Sequence, residues 1–186
     1  MSIHDKHKES KFETEIVEYL TSKDWIEGKS NGYDKNLALY TEDLISYIKN
    51  TQSDAYEKMA KREGVKTDEV LANYVAKELD KEGSLYFLRR EIKYIGSKFK
   101  LCQFKPELDN PDLQKKYDAN ILRVVRQVYY SNEDKSSIDL VLFLNGIPLA
   151  TFELKTDFTQ NVYDAIKQYK TDRLPKGEPL LEFKKR

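Results

Sequence analysis

The chain has 186 residues, 39% of them hydrophobic and 12% aromatic, a composition typical of a globular protein and not of a disordered one. Its 32 basic and 32 acidic side chains cancel, so any contact with nucleic acid must come from a local patch. The single cysteine, Cys102, excludes an internal disulfide and a cysteine-rich zinc site. The polar beginning lacks the apolar core of a signal peptide, and no stretch approaches membrane-spanning length. We therefore expect a cytoplasmic protein without membrane contacts.

The first half of the chain has the apolar spacing of helices. We expect residues 1–9 to form a flexible tail and residues 10–22 to form an amphipathic helix, because apolar residues recur there at intervals of three and four. Residues 41–91 are predicted to be mainly helical, with one helix that begins near Thr67 and ends before Gly83.

After residue 96 the pattern changes to that of strands. Runs rich in β-branched and aromatic residues predict strands at residues 99–104, 122–131, 137–144 and 147–155. Asn145-Gly146 between the last two is a strong hairpin signal, and a helix is predicted at residues 159–173, before Pro175. The expected fold is α/β, with a mixed sheet flanked by helices and a helical segment before this core.

Charged residues interrupt two strands that otherwise have the apolar composition of buried ones. Asp139 is the one charged residue in the strand at 137–144, and Glu153 and Lys155 end the strand that follows. A buried ionised carboxylate costs several kcal/mol, roughly, unless a partner or a metal ion compensates it. These three side chains are therefore the candidates for chemistry.

Whether the two carboxylates meet depends on the register of the hairpin. A strict two-residue turn at Asn145-Gly146 pairs Asp139 with Phe152 and sends Glu153 to the other face of the sheet. One extra residue in the loop, or a β-bulge near Pro148, places Asp139 opposite Glu153. We predict this irregularity as a requirement of function, because the two carboxylates can act together only on the same face of the sheet.

Two carboxylates beside a lysine suit phosphodiester hydrolysis. Carboxylate oxygens bind Mg²⁺, which lowers the pKa of a bound water and neutralises charge that builds on the phosphate. The lysine would orient or deprotonate that water, or stabilise the phosphorus centre. The ordinary alternative for Glu153 and Lys155 is a cross-strand salt bridge.

Asp139, the Asn145–Leu149 turn region and Glu153-Leu154-Lys155 together resemble the core of the PD-(D/E)xK nuclease superfamily, and more narrowly the N-terminal domain of type I restriction motor subunits. The resemblance implies that Asp139 and Glu153 bind metal, that Lys155 is the catalytic lysine, and that Gln168 belongs to a Gln-x-x-x-Tyr motif. The chain departs from this pattern in two places, since Asp172 stands where the motif has tyrosine and Ile138 replaces the proline of the superfamily name.

The first predicted helix is similar to the opening helix of the same family, which supplies a glutamate to the site in RecB-like relatives. Glu13 and Glu15 lie at opposite edges of its apolar stripe, and the Phe12-Glu13 context favours Glu13 as a further metal ligand. A surface position is the ordinary alternative for either glutamate.

Basic residues in two segments are candidates for contacts with the DNA backbone. Lys167, Lys170 and Arg173 lie on the helix predicted after the catalytic hairpin. Arg89, Arg90 and Lys93 belong to a basic run before the sheet, for which a solvated face is the favoured interpretation.

The resemblance implies an Mg²⁺-dependent endonuclease domain that cleaves double-stranded DNA after ATP-driven translocation. The chain has no Gly-x-x-x-x-Gly-Lys-(Ser/Thr) loop, so ATP would be used by a motor domain outside these residues, and modification (methyltransferase) and specificity subunits would recognise the target. Residues 10–175 are expected to form one nuclease domain, helical to about residue 95 and with its sheet core at 97–175, and residues 176–186 the start of a linker to that motor. Two alternatives stay open: a repair or recombination nuclease of the same superfamily, and a non-catalytic DNA-docking or assembly module.

Overall fold

The computed structural model describes residues 3–154, 162–167 and 176–182. The helices are α1 (Ile3–Thr21), α2 (Thr41–Thr51), α3 (Ser53–Glu63), α4 (Thr67–Glu82), α5 (Ser84–Leu88), α6 (Pro111–Asp118) and α7 (Val162–Lys167). The strands are β1 (Ile26–Gly28), β2 (Glu91–Tyr94), β3 (Ser97–Lys100), β4 (Leu122–Tyr129), β5 (Ser137–Leu144) and β6 (Ile147–Phe152). Among these residues, no helix combines the length and the apolar character needed to cross a membrane.

The main sheet of the described residues has four strands in the order β1-β4-β5-β6 and is mixed. Strand β1 runs parallel to β4, whereas the β4–β5 and β5–β6 pairs are antiparallel. Strands β2 and β3 form a separate antiparallel hairpin. A mixed sheet preceded by a helical segment is the arrangement that the sequence predicts.

Three apolar clusters hold these layers together. Helix α1 packs on one face of the sheet through Val17, against Val124 and Leu140. The opposite face carries a cluster that includes Tyr40 and Phe143. The largest cluster joins α2–α5 and the β2–β3 hairpin to the turn end of the main sheet, where Ile147 is completely buried. The helical layer therefore sits at the turn end of the β5–β6 hairpin.

An ion pair fastens α2 to the sheet. The Nε and Nη2 atoms of Arg123 on β4 donate to the two carboxylate oxygens of Asp43, at 2.5 and 2.6 Å. Asp43 lies in the first turn of α2 and only 3% of its side chain is exposed. The Arg123 guanidinium also lies over the Tyr40 ring, 4.4 Å from its centroid. This bidentate, charge-assisted pair is a strong polar link between the helical layer and the sheet.

The β5–β6 turn is embedded in the protein. Asn145 and Gly146 both have positive φ angles, 50° and 79°, as a two-residue hairpin turn of this kind requires. The Asn145 side chain is completely buried, accepts from the amide of Ile121 at 2.7 Å, and donates to the carbonyl oxygen of Leu101 at 2.8 Å. The amide of Tyr40 donates to the carbonyl oxygen of Gly146 at 2.8 Å. The turn therefore also organises the start of α2.

We expect Gly146→Ala to destabilise the protein by more than about 2 kcal/mol, because strain and a clash add. A Cβ at this position would lie 2.2 Å from the backbone oxygen of Tyr40, and φ is +79°. Gly64→Ala is the matched control, since φ is +61° there with nothing within 4 Å of the added Cβ. Urea unfolding of both variants measures the difference, and equal losses would contradict the proposed close contact.

The structure differs from the sequence predictions at several places. Helix α1 begins at Ile3, so helical backbone extends into the stretch expected as a tail. The strand expected at residues 99–104 ends at Lys100 and pairs with β2, which was expected to be the end of a helical region. Helix α6 lies between two expected strands; Asn110 caps it and Pro111 begins it.

Residues 176–182 also differ from the expected linker. Leu180 is 6% exposed and packs in the cluster that contains Tyr40 and Phe143. The Ser131 hydroxyl donates to Glu178 Oε1 at 2.8 Å, and both residues are buried. These residues therefore pack as part of the domain.

Candidate functional site

A local inversion of strand β4 decides which side chains reach helix α1. Val124 packs toward α1 and Val125 packs on the opposite face, as strand alternation requires. Val128 would return to the α1 side in a regular strand, yet it lies in the cluster with Val125. Between them, Gln127 has a φ of 47°, in the left-handed region that residues other than glycine rarely adopt. The strand therefore changes face at Gln127.

Gln127 joins a carboxylate of the sheet to a carboxylate of α1. It faces Asp139, because the β4–β5 ladder keeps one register on both sides of the two residues. Its Nε2 atom donates to Asp139 Oδ1 at 3.3 Å and to Glu13 Oε2 at 3.1 Å. Ser137 donates to Gln127 Oε1 at 3.2 Å. Two acidic side chains that lie far apart in the chain thus meet around one amide nitrogen.

The predicted irregularity near Pro148 is present in the β5–β6 hairpin. The register shifts by one residue between Leu142 and Phe143, which pairs Leu140 with Phe152. Continued by one position, this register puts Asp139 opposite Glu153, whereas an unbroken ladder would put Asp139 opposite Phe152. This prediction is confirmed.

A backbone hydrogen bond ties Asp139 to the segment that leaves β6. The amide of Leu154 donates to Asp139 Oδ2 at 2.7 Å. Glu153 is half-buried and immediately precedes Leu154, whose side chain is 7% exposed in the α1 cluster. The Asp139 carboxylate thereby contacts β4 and the segment that follows β6, so it is held from two sides.

Arg126 places a positive charge beside the same site. Its Nη1 atom donates to Thr14 Oγ1 at 3.1 Å and lies 3.7 Å from Glu13 Oε1. Its Nε atom lies 2.9 Å from Glu27 Oε1, close enough for an ion pair although the angle is unsuitable for a hydrogen bond. Arg126 therefore helps to place Glu13 and balances part of the acidic charge.

The donor chemistry of the site fits Mg²⁺. Within the part of the chain that the structure describes, no group of three or more His, Cys, Asp and Glu side chains is placed to hold a metal ion. Mg²⁺, however, is usually bound through one or two carboxylates and keeps several waters. Glu13 and Asp139 supply two such carboxylates around one Gln127 nitrogen, and the β5–β6 register, continued by one position, puts Glu153 opposite Asp139. All of these are hard oxygen ligands.

Several predicted site residues lie outside the described residues. These are Lys155, Gln168, Lys170 and Arg173. Lys167 is described as the exposed last residue of α7.

The structure places the basic run away from the carboxylates. Arg89, Arg90 and Lys93 are exposed at the end of α5 and on β2. Their hairpin packs on α3 and α5, in the cluster that reaches the turn end of the main sheet. Asp139 lies at the other end of β5, about 17 Å along the strand from that turn at about 3.4 Å per residue. A solvated face remains the interpretation that this position favours.

The comparisons with known proteins identify the family. The family model described as the type I restriction enzyme R protein N terminus matches residues 8–184. The chain belongs to this family. No curated protein and no solved structure shows significant similarity to it. The fold of this R-protein domain is accordingly a restriction-endonuclease-like mixed α/β fold, and the family places the domain in a type I restriction system.

Sequence reasoning did not single out two polar residues of the R-protein domain that contact its candidate site. Arg126 and Gln127 are adjacent and polar within an otherwise largely apolar strand, which is the same signal that identified Asp139. The contact of Gln127 with α1 could not be derived from the strand pattern, because the inversion at Gln127 decides which face its side chain occupies.

Proposed function

We propose that this R-protein domain is the DNA-cleaving unit of a type I restriction enzyme and hydrolyses phosphodiester bonds with Mg²⁺. The observation that carries the proposal is the meeting of Asp139 with Glu13 around Gln127 Nε2. The bulged register of the hairpin supports it, because continuing this register by one position puts Glu153 opposite Asp139. Repulsion between neighbouring carboxylates opposes folding, whereas a hard divalent cation binds such oxygen ligands.

Each residue has a role in this proposal. Asp139 and Glu153 would hold the cation, with Glu13 as a further ligand from α1. When bound, Mg²⁺ supplies charge neutralisation at the phosphate and lowers the pKa of a coordinated water. Lys155 follows two residues after Glu153 and would orient the attacking water or stabilise the reacting phosphate. Gln168 on the following segment would help to position these groups.

The wider assembly is also part of the proposal, and family membership supports it. The substrate would be double-stranded DNA, with Lys167, Lys170 and Arg173 as the nearest candidates for phosphate contacts. An ATP-driven motor outside these residues would translocate the DNA, and modification and specificity subunits would choose the target. Cleavage would thus be separable from translocation.

We expect Lys155→Ala, in the complete restriction complex, to lower the cleavage rate by about 10²- to 10⁴-fold and to leave translocation unchanged. The lysine acts on the reacting groups and not on the motor, so only the chemical step loses its support. Cleavage of a plasmid substrate and a triplex-displacement translocation assay measure the two activities separately.

Lys116→Ala on α6 is the control for that experiment, because it removes an exposed lysine from another part of the domain. Its cleavage rate is expected to equal that of the unchanged complex. Cleavage retained in Lys155→Ala would overturn the assignment of Lys155, and loss of translocation would assign the lysine to assembly instead.

A further inference from the structure

We propose that Gln127 is a positioning residue whose side-chain amide holds the Glu13 and Asp139 carboxylates side by side, ready for a divalent cation. The inference rests on the proposed function, since it gives that metal site a device that prepares it. Gln127 itself is not assigned as a metal ligand. It acts through the two acidic side chains that it contacts.

The contacts of Gln127 are those of an orienting group. The Nε2 atom donates to one oxygen of each carboxylate, so the distance between these two oxygens cannot exceed the sum of the two hydrogen-bond lengths, 3.1 and 3.3 Å. Each carboxylate keeps other lone pairs free for a cation, because an ionised carboxyl has about four acceptor positions. Carboxylates that bind metal are commonly held by such outer hydrogen bonds.

The amide is itself held in the required orientation. Ser137 donates to Gln127 Oε1 at 3.2 Å, which turns Nε2 toward the two acidic residues. Ser30 donates to the backbone oxygen of Gln127 at 2.8 Å. Both ends of the residue are therefore fixed by neighbours from different parts of the chain.

The charge of the side chain also suits this role. Two carboxylates that approach each other repel, and a neutral amide offsets part of that repulsion through its N–H groups. Because the amide carries no net charge, Gln127 leaves the negative charge of Glu13 and Asp139 unreduced, although Arg126 balances part of it from beside Glu13. A lysine or arginine in the same place would compete with the metal ion.

The backbone of Gln127 adopts a conformation that favours glycine over glutamine. A φ of 47° is strained for glutamine and unstrained for glycine. Folding alone would thus be served better by glycine at this position. The side chain is exposed and packs in no apolar cluster among the described residues, so its polar contacts are what offsets the backbone strain.

The test compares Mn²⁺ binding with thermal stability in the unchanged protein, Gln127→Gly, Ser137→Ala and Asp139→Asn. Mn²⁺ is the probe because its binding is read by electron paramagnetic resonance, independently of DNA cleavage. We expect Gln127→Gly to raise the Kd for Mn²⁺ about tenfold or more. Its melting temperature without metal is expected to stay the same or rise, since the substitution relieves backbone strain.

Ser137→Ala leaves the backbone of Gln127 unchanged and is expected to raise the same Kd by a smaller factor. If Gln127→Gly melts at a lower temperature, the Mn²⁺ binding of Ser137→Ala becomes the test. Weaker binding by Ser137→Ala then supports the positioning role of Gln127, and unchanged binding overturns it. Unchanged binding in a stable Gln127→Gly overturns it as well. Asp139→Asn separates this inference from the proposed function. If Asp139→Asn binds Mn²⁺ as tightly as the unchanged protein does, the proposed metal site is overturned. If Asp139→Asn loses Mn²⁺ binding while Gln127→Gly and Ser137→Ala keep it, only the positioning role of Gln127 is overturned.

Discussion

Asp139→Asn is expected to reduce DNA cleavage by the complete restriction complex by at least about 10²- to 10³-fold while translocation and ATP hydrolysis continue. Asparagine keeps the shape of the side chain and an oxygen that can accept from the Leu154 amide, now 2.7 Å from Asp139 Oδ2. It removes the negative charge that would bind the cation. Loss of several kcal/mol of metal-derived stabilisation corresponds to this change in rate.

The structure offers a matched control for this substitution. Asp118 on α6 is exposed and accepts a hydrogen bond from the side-chain amide of Gln114 at 2.7 Å, so its surroundings resemble the Gln127–Asp139 contact. Asp118→Asn is expected to cleave DNA at the unchanged rate. Thermal melting of both variants checks that folding is intact. Full cleavage activity in Asp139→Asn would remove the basis of the proposed nuclease function.

Asp43→Ala is expected to destabilise the domain by about 3–5 kcal/mol, the loss typical of removing one partner from a buried ion pair. The Arg123 side chain is only 13% exposed with Asp43 present, and in the variant it would have no carboxylate to accept its two hydrogen bonds. The pair also links α2 to β4, so its loss would loosen the helical layer from the sheet. Guanidinium unfolding monitored by circular dichroism measures the change.

Two further variants show whether the burial of the Asp43–Arg123 pair is the cause of the expected loss of stability. Glu91→Ala removes an exposed ion pair, in which Lys98 Nζ and Glu91 Oε2 are 3.8 Å apart, and is expected to cost less than about 1 kcal/mol. The double variant Asp43→Leu/Arg123→Met is expected to be more stable than Asp43→Ala, because no unpaired charge is left inside. If Asp43→Ala costs no more than Glu91→Ala, the pair contributes little to stability.

The β5–β6 hairpin could be predicted almost completely from the sequence. Strand β5 occupies the predicted residues, Ser137–Leu144, and the Asn145-Gly146 turn follows as expected. The register shift near Pro148 was predicted because function requires Asp139 to lie opposite Glu153, and Pro148 marks the place for it because proline cannot donate to the ladder. Each of these features depends on a few adjacent residues, so the sequence contains the information locally.

Other elements could not be predicted from local pattern. Strand β1 has three residues and pairs in parallel with β4, far along the chain. Strands β2 and β3 have four residues each on either side of a turn at Ile95-Gly96, so their alternation of apolar and polar residues is too short to identify them. Strand β1 gains its stability from a partner distant in sequence and the β2–β3 hairpin from packing on α3 and α5, and neither leaves a clear local pattern.

Local residue pattern was sufficient to predict the bulged register of the β5–β6 hairpin, which, continued by one position, puts Glu153 opposite Asp139. Which α1 glutamate approaches Asp139 is settled by the packing of distant segments: Glu13 contacts Gln127, whereas Glu15 is exposed beside Lys11. Helical periodicity left both glutamates at the edge of the apolar stripe. The packing of α1 on the sheet and the change of face at Gln127 made the choice, and both arise from contacts between segments distant in the chain.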